Sequence, residues 1–448
     1  MDRTKKNKLF GTDGIRSEFG VFPLDRESII KLGNVLSRLL TGSRFVIGRD
    51  TRRSGEEIVK LLASGISRET AIVDGGVIPT PGLSYITGSG DYDYGIMITA
   101  SHNPWTDNGI KIFKSDGEKI FEELERQLED SFYNTDRIEI FDRSELPAAE
   151  NSKAGYIDFL KRMAGGLSTP AGRPFNIIID CANGATFKVA PGIFKETGFN
   201  IDVIADQPDG MNINLDCGST HMDKLVQRVK TQQADLGIAF DGDGDRVLMV
   251  DARGNTLDGD HTLYLIAKYI LETNNDFKKV VVGTVLGNLG LENALREMGI
   301  TYSRTGVGDK YVYEEMKQQG SILGGEQSGH TILRQFQCTG DGILTALYFL
   351  KALFYFNISP IDVFRELRLY PQKMVSLKVR EKPDLKTWEP LNRMIDDFNQ
   401  RYERDSRILI RYSGTEPRIR IMIESMDATV ISENMAKFEE FIKTTIGI

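Results

Sequence analysis

The stretch "ADLGIAFDGDGDRVLMVD", residues 234–251, joins two short apolar runs through a loop of alternating aspartate and glycine. Short apolar runs bounded by turn residues are typical of buried strands. Asp241, Asp243 and Asp245 stand at every second position of the loop, so their carboxylates can point at one place. The stretch therefore predicts a buried strand that ends at a polar site.

Similar units lie on both sides of this stretch. The runs "RFVIGRD" (44–50), "TAIVDGG" (70–76), "YGIMITAS" (94–101), "FNIIIDCANG" (175–184), "KKVVVGTVLG" (278–287) and "SILGGEQSGH" (321–330) alternate with amphipathic helical stretches. This alternation indicates α/β units with mainly parallel strands that are covered on both faces. Ligands bind beyond the carboxyl ends of the strands in such sheets, where these polar loops stand.

The pattern changes after about residue 368. The segments that follow predict a small α+β domain with an antiparallel element and a final helix, which has Asp427 as its N-cap and Ile431, Met435, Phe438 and Ile442 at helical spacing. A chain of 448 residues is also too long for one core at about 150 residues per domain. We predict four domains, over 1–149, 150–252, 253–368 and 369–448.

Composition indicates an ordinary soluble globular protein. Apolar residues make up 40% and charged residues 27%, and the net charge of −8 argues against a dedicated nucleic-acid binder. Three dispersed cysteines without CxxC spacing favour reduced thiols in a cytosol. The N-terminus lacks the apolar core of a signal peptide, and the apolar stretch 343–356 is interrupted by Lys351, so it predicts a buried helix. We expect a cytoplasmic protein without a membrane partner.

The loop "DGDGDR" (241–246) predicts a site for a hard divalent cation. An EF-hand would require Gly at the sixth position and Glu at the twelfth, where this sequence has Arg246 and Ala252. Three carboxylates without Cys or His favour Mg²⁺ over Zn²⁺, and Mg²⁺ usually completes its coordination with substrate phosphate. The alternative is a turn with solvated carboxylates.

Ser101, in "TASHNP" (99–104), is the candidate nucleophile. No GxSxG elbow surrounds it, so a hydrolase triad is unsupported. A phosphate on Ser101 would bring about −1.5 to −2 charges, and a cation on the aspartates could bind one of its oxygens. His102 and Lys111 would then supply a hydrogen-bond donor and a proton shuttle. The alternatives are a capped loop serine and a structural histidine.

Two further motifs suit the two ends of a sugar phosphate. In "RYSGTEPRIRI" (411–421) a hydroxyl-rich turn is flanked by arginines, which suits a phosphate dianion, and the alternative is a solvated basic edge strand. In "GGEQSGH" (324–330) Glu326 and Ser328 could grip adjacent sugar hydroxyls, although a plain polar loop fits equally well. "TGVGDKY" (305–311) adds Lys310 beside a pair of glycines.

Together these motifs resemble the α-D-phosphohexomutase superfamily. "TASHNP" is similar to its phosphoserine loop, "DGDGDR" to its metal loop, "GEQSGH" to its sugar loop and "RYSGTEP" to its phosphate loop, in the same order along the chain. "FGTDGIR" (10–16) and "DCANGAT" (180–186) make the chain most similar to the phosphoglucosamine mutases within it. The resemblance implies three successive mixed α/β domains and a small C-terminal α+β domain around a central cleft.

The resemblance also implies residue roles. Ser101 would be the phosphoserine and a ligand of one Mg²⁺ per chain, together with Asp241, Asp243 and Asp245. Residues steadying the phosphoserine would be Arg16, His102, Lys111 and Arg246, with Lys111 as the proton-transfer group. Glu326, Ser328 and Lys310 would bind the sugar, and the distal phosphate would rest on Arg411, Ser413, Gly414, Thr415 and Arg420. Thr99, Ser17 and Tyr412 stand where these mutases commonly have Ser, Gly and Lys.

The implied reaction interconverts glucosamine 6-phosphate and glucosamine 1-phosphate through a bisphosphorylated sugar, with hexose or glucosamine 1,6-bisphosphate as activator and intermediate. Nothing in the sequence marks a 2-amino group, so glucose or mannose phosphate is the nearest alternative. A magnesium-dependent phosphatase and a non-catalytic sugar-phosphate sensor are alternatives of other classes. We expect a phosphosugar as the partner and no nucleic acid. The oligomeric state is open between a monomer and a homodimer.

Overall fold

The computed structural model describes residues 8–11, 13–143, 145–167, 174–402, 405–413 and 416–448. Within these residues the chain forms four units in sequence order, each built on its own sheet. The predicted fold class, three α/β domains followed by a small α+β domain, is confirmed. The residue limits given above for the four domains stay predictions.

The first two units contain ten strands and seven α-helices among the described residues, with one π-helical turn at Thr87–Asp91 after α3. The first comprises β1 (Ile15–Glu18), α1 (Arg26–Leu39), β2 (Arg44–Arg49), α2 (Gly55–Gly65), β3 (Ala71–Val77), α3 (Thr80–Ile86), β4 (Tyr94–Ile98), β5 (Asp107–Lys114) and α4 (Glu122–Tyr133). The second comprises α5 (Glu150–Ala164), β6 (Asn176–Asp180), α6 (Val189–Lys195), β7 (Asn200–Ile204), α7 (Asp223–Gln232), β8 (Leu236–Phe240), β9 (Val247–Asp251) and β10 (Thr256–Leu257).

The last two units complete the chain. The third comprises α8 (Gly259–Thr273), β11 (Val280–Thr284), α9 (Leu289–Glu297), β12 (Thr301–Thr305), α10 (Asp309–Gln319), β13 (Leu323–Gly325), β14 (Thr331–Leu333), α11 (Gly342–Phe356) and α12 (Pro360–Glu366). The fourth comprises β15 (Gln372–Lys378), α13 (Glu389–Arg401), β16 (Ser406–Tyr412), β17 (Arg418–Ser425) and α14 (Ala428–Thr445).

The first three sheets repeat one strand order, although the sequence shows no residue-level repeat. Each contains three parallel strands, in the orders β3-β2-β4, β7-β6-β8 and β12-β11-β13. The next strand of each unit, β5, β9 or β14, then runs antiparallel to the third. The expectation of mainly parallel strands fails at this point because the connecting loops, 99–106, 241–246 and 326–330, are too short for a crossover.

The C-terminal unit differs in topology and has its own core. Its sheet has the order β15-β17-β16 and is antiparallel throughout, as the sequence predicts. The predicted final helix is confirmed as α14, which begins where Asp427 accepts a hydrogen bond from the Thr429 N–H at 2.8 Å and buries Ile431, Met435, Phe438 and Ile442. These side chains belong to a hydrophobic cluster separate from the large one that runs through the first three units.

The apolar stretch 343–356 lies in α11, a buried helix as predicted. Asp341 is its N-cap and accepts a hydrogen bond from the Leu344 N–H at 3.0 Å. Among the described residues no single helix has the length and hydropathy to cross a bilayer, and α11 with α12 satisfies both criteria only as a pair bent by 86°.

Helices α1 and α2 approach closely where two glycines face each other. A Cβ atom on Gly65 would lie 2.0 Å from the carbonyl oxygen of Ile30, and one on Gly33 would lie 2.3 Å from that of Leu62. Backbone atoms cannot move aside as a flexible side chain can, so this contact requires glycine on both helices.

Gly65→Ala should therefore lower the free energy of unfolding by about 1–3 kcal/mol, because the added methyl group forces the helices apart. Scanning calorimetry of the purified variant measures the change. Gly192→Ala is the matched control: Gly192 lies within α6, and a Cβ there would meet no atom within 4 Å. The control should gain about 0.5–1 kcal/mol from helix propensity. Equal melting temperatures for the two variants would contradict the proposed packing.

Candidate active site

In each of the first three units a loop joins the last parallel strand (β4, β8 or β13) to the antiparallel strand that follows it, and these three loops meet at one place. Ser101 of the first loop donates a hydrogen bond from Oγ to Asp241 of the second. Arg246, at the end of the second loop, forms an antiparallel bridge with His330 of the third. The loops hold equivalent positions in three sheets, so one repeated hairpin supplies the whole cluster.

Ser101 is buried, and its hydroxyl faces the aspartate loop. Its Oγ lies 2.6 Å from Asp241 Oδ2 and 3.3 Å from His102 Nδ1, and its own N–H donates to Thr99 Oγ1 at 2.9 Å. Its φ of +52° lies in the left-handed region, which few residues with a side chain adopt. The loop thus holds the serine in an uncommon conformation that directs its oxygen at a carboxylate.

The carboxylates of Asp241, Asp243 and Asp245 are all buried, with exposures of 1%, 0% and 3%, which excludes the alternative of a solvated turn. One oxygen from each lies within 4.8 Å of the others. Within the described part of the chain, Asp243 Oδ1 and Asp245 Oδ1 are buried without a hydrogen-bond partner. Burial and the two neighbouring carboxylates raise the pKa of Asp241 well above its usual value. Unpaired buried oxygens that repel one another fit a divalent cation with oxygen ligands.

Lys111, on β5, is the cation placed against these carboxylates. Its Nζ lies 3.0 Å from Asp243 Oδ2, 3.2 Å from Asp245 Oδ2 and 3.2 Å from Asp13 Oδ2. Burial alone would lower the pKa of Lys111, but the three carboxylates hold it well above its usual value. Arg16, on β1, also pairs with Asp13. Asp13 therefore connects the two predicted cations of the first unit.

His102 and Arg246, both next to this cluster, differ in charge. Burial, with Arg246 and Arg16 nearby, lowers the pKa of His102 to about 4, so the ring is neutral at pH 7. The Arg246 N–H donates to Asp241 Oδ1 at 3.2 Å, and its guanidinium Nε lies 3.9 Å from Asp245 Oδ1. A neutral imidazole thus lies beside the Ser101 hydroxyl, and a guanidinium lies beside the aspartates.

The third loop brings Glu326 and Ser328 together. Ser328 Oγ donates to Glu326 Oε2 at 3.2 Å, and Glu326 Oε1 accepts from the Gly308 N–H at 3.1 Å. Lys310, on α10, reaches across to the first unit, where its Nζ lies 3.2 Å from Glu125 Oε2. Glu326 and Ser328 form one polar pair, whereas Lys310 is held by a carboxylate of another unit.

In the C-terminal unit Arg411 on β16 is the direct cross-strand partner of Arg420 on β17. Burial and the charge of Arg420 lower the pKa of Arg411. Like charges directly opposite each other destabilise a sheet unless an anion lies between them. Because β17 is the central strand, the alternative of a basic edge strand fails for Arg420.

The contacts of Ser413 and Arg420 lie within the C-terminal unit, whereas Arg407 of β16 donates to the Gly287 carbonyl of the third unit at 2.9 Å. The Ser413 carbonyl accepts from Lys382 Nζ at 3.1 Å, and Arg420 lies 3.9 Å from Glu416. Gly414 and Thr415 lie outside the described residues. Where the structure describes the chain, no hydrogen bond or ion pair joins Arg411, Ser413 or Arg420 to the other three loops. Three of the four predicted loops are therefore in contact and the fourth is separate.

Some groups of the cluster escape the sequence analysis. Thr80, at the start of α3, donates to Asp243 Oδ2 at 2.6 Å, and nothing in its sequence neighbourhood marks it. Lys119 pairs with both Asp13 and Asp309 and so joins the first unit to the third. Asp13 lies within "FGTDGIR", a motif that the sequence analysis used only for its resemblance to the family and from which it gave Asp13 no role.

Four family models match consecutive parts of the chain. They describe phosphoglucomutase/phosphomannomutase alpha/beta/alpha domain I over residues 7–139, domain II over 154–254, domain III over 258–368 and the C-terminal domain over 374–440.

Individual proteins match over almost the whole length. The phosphoglucosamine mutase of Hydrogenovibrio crunogenus is 40% identical over 447 residues, which cover 98% of this chain and 99% of the relative. That of Deinococcus deserti is 40% identical over 436 residues, 96% of each chain. The crystal structure of a phosphoglucomutase/phosphomannomutase family protein from Burkholderia thailandensis has a TM-score of 0.79 at 23% identity, and covers 98% of this chain and 99% of that one. The structural likeness bears on the fold alone.

Loss of one buried carboxylate should abolish cation binding. After dialysis against EDTA, Mg²⁺ should raise the melting temperature of the native protein, since a ligand at 100 times its Kd adds about 2.7 kcal/mol. Asp243→Asn keeps the shape but removes a charge, so its melting temperature should not respond to Mg²⁺. Asp223→Asn, at the exposed start of α7, is the control and should respond like the native protein. A full response in Asp243→Asn would exclude the aspartates as the site.

The low pKa of His102 predicts a pH effect. Its folded pKa of about 4 lies below the usual 6.5, so the folded state resists protonation, and this residue lowers stability as pH falls from 6.5 towards 4. In the unphosphorylated protein its Cε1–H NMR signal should not shift between pH 8 and pH 5.5. His102→Gln assigns the signal by its disappearance. A titration midpoint near the usual value would contradict the buried, neutral ring.

Proposed function

The chain belongs to the phosphoglucomutase/phosphomannomutase family, and on that premise we propose that it interconverts glucosamine 6-phosphate and glucosamine 1-phosphate. We choose glucosamine as the sugar because the relatives that are 40% identical over nearly the whole chain are phosphoglucosamine mutases. The observation that carries the chemistry is the buried Ser101 hydroxyl, 2.6 Å from a carboxylate of the three-aspartate cluster. A phosphohexomutase needs this pairing of a nucleophile with a cation site, and a simple structural serine does not.

Phosphoserine 101 transfers its phosphoryl group to O1 of glucosamine 6-phosphate. The bond from Oγ to phosphorus breaks and a bond from O1 to phosphorus forms. The Lys111 ammonium donates a proton to Oγ and regains one from the O1 hydroxyl. The bisphosphorylated sugar turns over, and its 6-phosphoryl group returns to Ser101 by the reverse chemistry. Hexose or glucosamine 1,6-bisphosphate would prime the serine.

Asp241, Asp243, Asp245 and a phosphoryl oxygen on Ser101 would hold one Mg²⁺ per chain, which would withdraw charge from the phosphoryl group. Arg16 and Arg246 would offset the charge that develops on these oxygens, and the neutral His102, 3.3 Å from Ser101 Oγ, would donate a hydrogen bond. Lys111 is already placed within 3.2 Å of the carboxylates of the cluster. Most of the catalysis is then positioning and charge stabilisation.

The sugar binds between the third and fourth loops. Glu326 and Ser328, joined by a 3.2 Å hydrogen bond, would exchange that bond for contacts to adjacent sugar hydroxyls. Lys310 would exchange its ion pair with Glu125 for a contact to the sugar. The non-reacting phosphate would lie between the opposed guanidiniums of Arg411 and Arg420, with Ser413, Gly414 and Thr415 as further donors. The substrate itself would thus bridge the hairpin to the other three loops.

All these groups come from one chain, so the proposal holds for a monomer and for a homodimer. We place the enzyme in the cytoplasm, in amino-sugar metabolism, with a phosphosugar as its partner and neither nucleic acid nor membrane.

Ser101→Ala should abolish mutase turnover and leave the fold intact, because the phosphoryl group then has no carrier. Activity is measured with Mg²⁺ and a trace of hexose bisphosphate, and circular dichroism checks the fold. Thr106→Ala is the control, since its exposed hydroxyl lies on the same loop and, among the described residues, hydrogen-bonds only to Asp107. Undiminished kcat in Ser101→Ala would contradict the mechanism.

The same assay, run with glucosamine, glucose and mannose 6-phosphates, tests the sugar. A preference for glucosamine of at least tenfold in kcat/KM, about 1.4 kcal/mol, is expected. Equal or reversed preference would keep the mutase chemistry and replace the substrate with a hexose phosphate, because Glu326 and Ser328 would bind hydroxyls that glucose and glucosamine share.

A further inference from the structure

The carbonyl group of Ser101 is held as firmly as its hydroxyl, and by residues that take no part in the chemistry above. Two nitrogen donors converge on this oxygen, Arg52 Nη2 at 2.8 Å and Asn214 Nδ2 at 2.8 Å. Arg52 belongs to the first unit and Asn214 to the second. The backbone of the nucleophile is thus gripped from both sides of the boundary between two units.

Arg52 uses four of the five N–H groups of its guanidinium on backbone carbonyls in and next to this loop. Its side chain has an exposure of 0% and lies between β2 and α2. Nη2 also donates to the Asn103 carbonyl at 2.9 Å, and Nη1 donates to the carbonyls of Pro104 and Asp107. A guanidinium has five N–H groups, and four of these bind carbonyl oxygens in and next to the loop that carries Ser101.

The fifth N–H ties Arg52 to Asp50, which organises the other side of the loop. Arg52 Nε donates to Asp50 Oδ2 at 2.9 Å, and the same oxygen accepts from Thr99 Oγ1 at 2.7 Å. Thr99 Oγ1 in turn accepts the N–H of Ser101. Both the N–H and the carbonyl of Ser101 are therefore fixed through one buried ion pair. A hydroxyl at position 99 is required for this, which either Thr or Ser supplies.

Asn214 adds a contact from the unit that carries the aspartates. Its Nδ2 also donates to the Asn103 carbonyl at 3.1 Å, and its N–H donates to the Ala182 carbonyl at 2.9 Å. A Cβ atom on Gly242 of the aspartate loop would lie 2.6 Å from the Ser101 carbonyl oxygen and 2.8 Å from Asn214 Nδ2. The two loops therefore touch through backbone, with Asn214 at the point of contact.

We infer that Arg52 and Asn214 are positioning residues that clamp the Ser101 carbonyl, keep the serine in its left-handed conformation and so direct its Oγ at the aspartate cluster. The inference rests on the proposed function, in which Ser101 carries the phosphoryl group. Without the clamp the loop can relax to an ordinary backbone conformation. A change in φ at Ser101 would move its Oγ relative to the carboxylates, and misplacement by about 1 Å costs about 100-fold in rate.

The test uses variants that remove the donors without straining the backbone. Asn214 has a φ of +57°, which Gly and Asp tolerate. Asn214→Gly deletes the two hydrogen bonds, whereas Asn214→Asp replaces the donor with an oxygen that the carbonyl oxygens of Ser101 and Asn103 repel. Asn212→Ala is the matched control, since Asn212 lies on the same segment and, in the described part of the chain, its side chain hydrogen-bonds only with Gln207 and Asp209. Arg52→Lys keeps the charge beside Asp50 but has too few donors for four carbonyls.

The measurement is the single-turnover rate of phosphoryl transfer from phosphorylated protein to glucosamine 6-phosphate. Both Asn214 variants and Arg52→Lys should transfer the phosphoryl group about 10- to 100-fold more slowly than the native protein. Their KM and Mg²⁺ affinity should stay close to the native values, and Asn212→Ala should transfer at the native rate. The ³¹P NMR signal of the phosphoserine should be broadened or split in the variants. If Arg52→Lys does not fold, the Asn214 pair decides the question.

Transfer within twofold of the native rate in both Asn214 variants would overturn the inference. A lower melting temperature, a weaker Mg²⁺ affinity and a higher KM in the same variants would also overturn it, because a general structural defect would then account for the loss of rate. Failure of the native protein to transfer phosphate to any of the three sugar phosphates would instead overturn the proposed function, and the inference with it.

Discussion

Three carboxylates buried side by side repel one another, and the architecture of the site depends on how that repulsion is offset. Burial denies Asp241, Asp243 and Asp245 the screening of water, so charged partners must come from the protein or from a bound cation. Lys111 supplies a positive charge from the first unit, and the His330 ring of the third unit lies 3.7 Å from Asp245. The three α/β units are thus held around one electrostatic centre, in keeping with the hydrophobic core that runs through them.

Repetition of a single hairpin explains how one short chain pattern serves three purposes. In each α/β unit the strand after the parallel trio turns back at once, and the turn presents polar groups at the carboxyl end of the sheet. The first turn carries a serine, the second aspartates and the third a glutamate and a serine. A fourth hairpin, between β16 and β17, carries arginines on an unrelated sheet. Function follows from what each loop contains, since the backbone frame is the same in three of them.

Local signals in the sequence predicted the strands, the aspartate loop, the buried α11 and the capped α14, because alternation, turn residues and helical spacing depend on neighbours along the chain. They also placed Ser101 and Lys111 as candidates, which the structure brings against the same cluster. Thr80, Arg52 and Asn214 could not be found in this way, since each acts on residues far away in sequence. The antiparallel fourth strands were missed because periodicity does not report strand direction. Gly414 and Thr415, outside the described residues, stay predictions.

The peptide of Gly242 lies between the backbones of Ser101 and Gly184. A Cβ atom on Gly242 would collide with the Ser101 carbonyl oxygen, and a Cβ atom on Gly184 would collide with the carbonyl oxygen of Gly242. Where two loops meet through backbone atoms, a substitution on one loop cannot be compensated by a smaller side chain on the other. Chimaeras that combine the first unit of one relative with the second unit of another would have to preserve this backbone fit unchanged. The arginine hairpin has no such contact among the described residues, so the C-terminal unit is the part of the molecule that can be exchanged with least disturbance to the nucleophile.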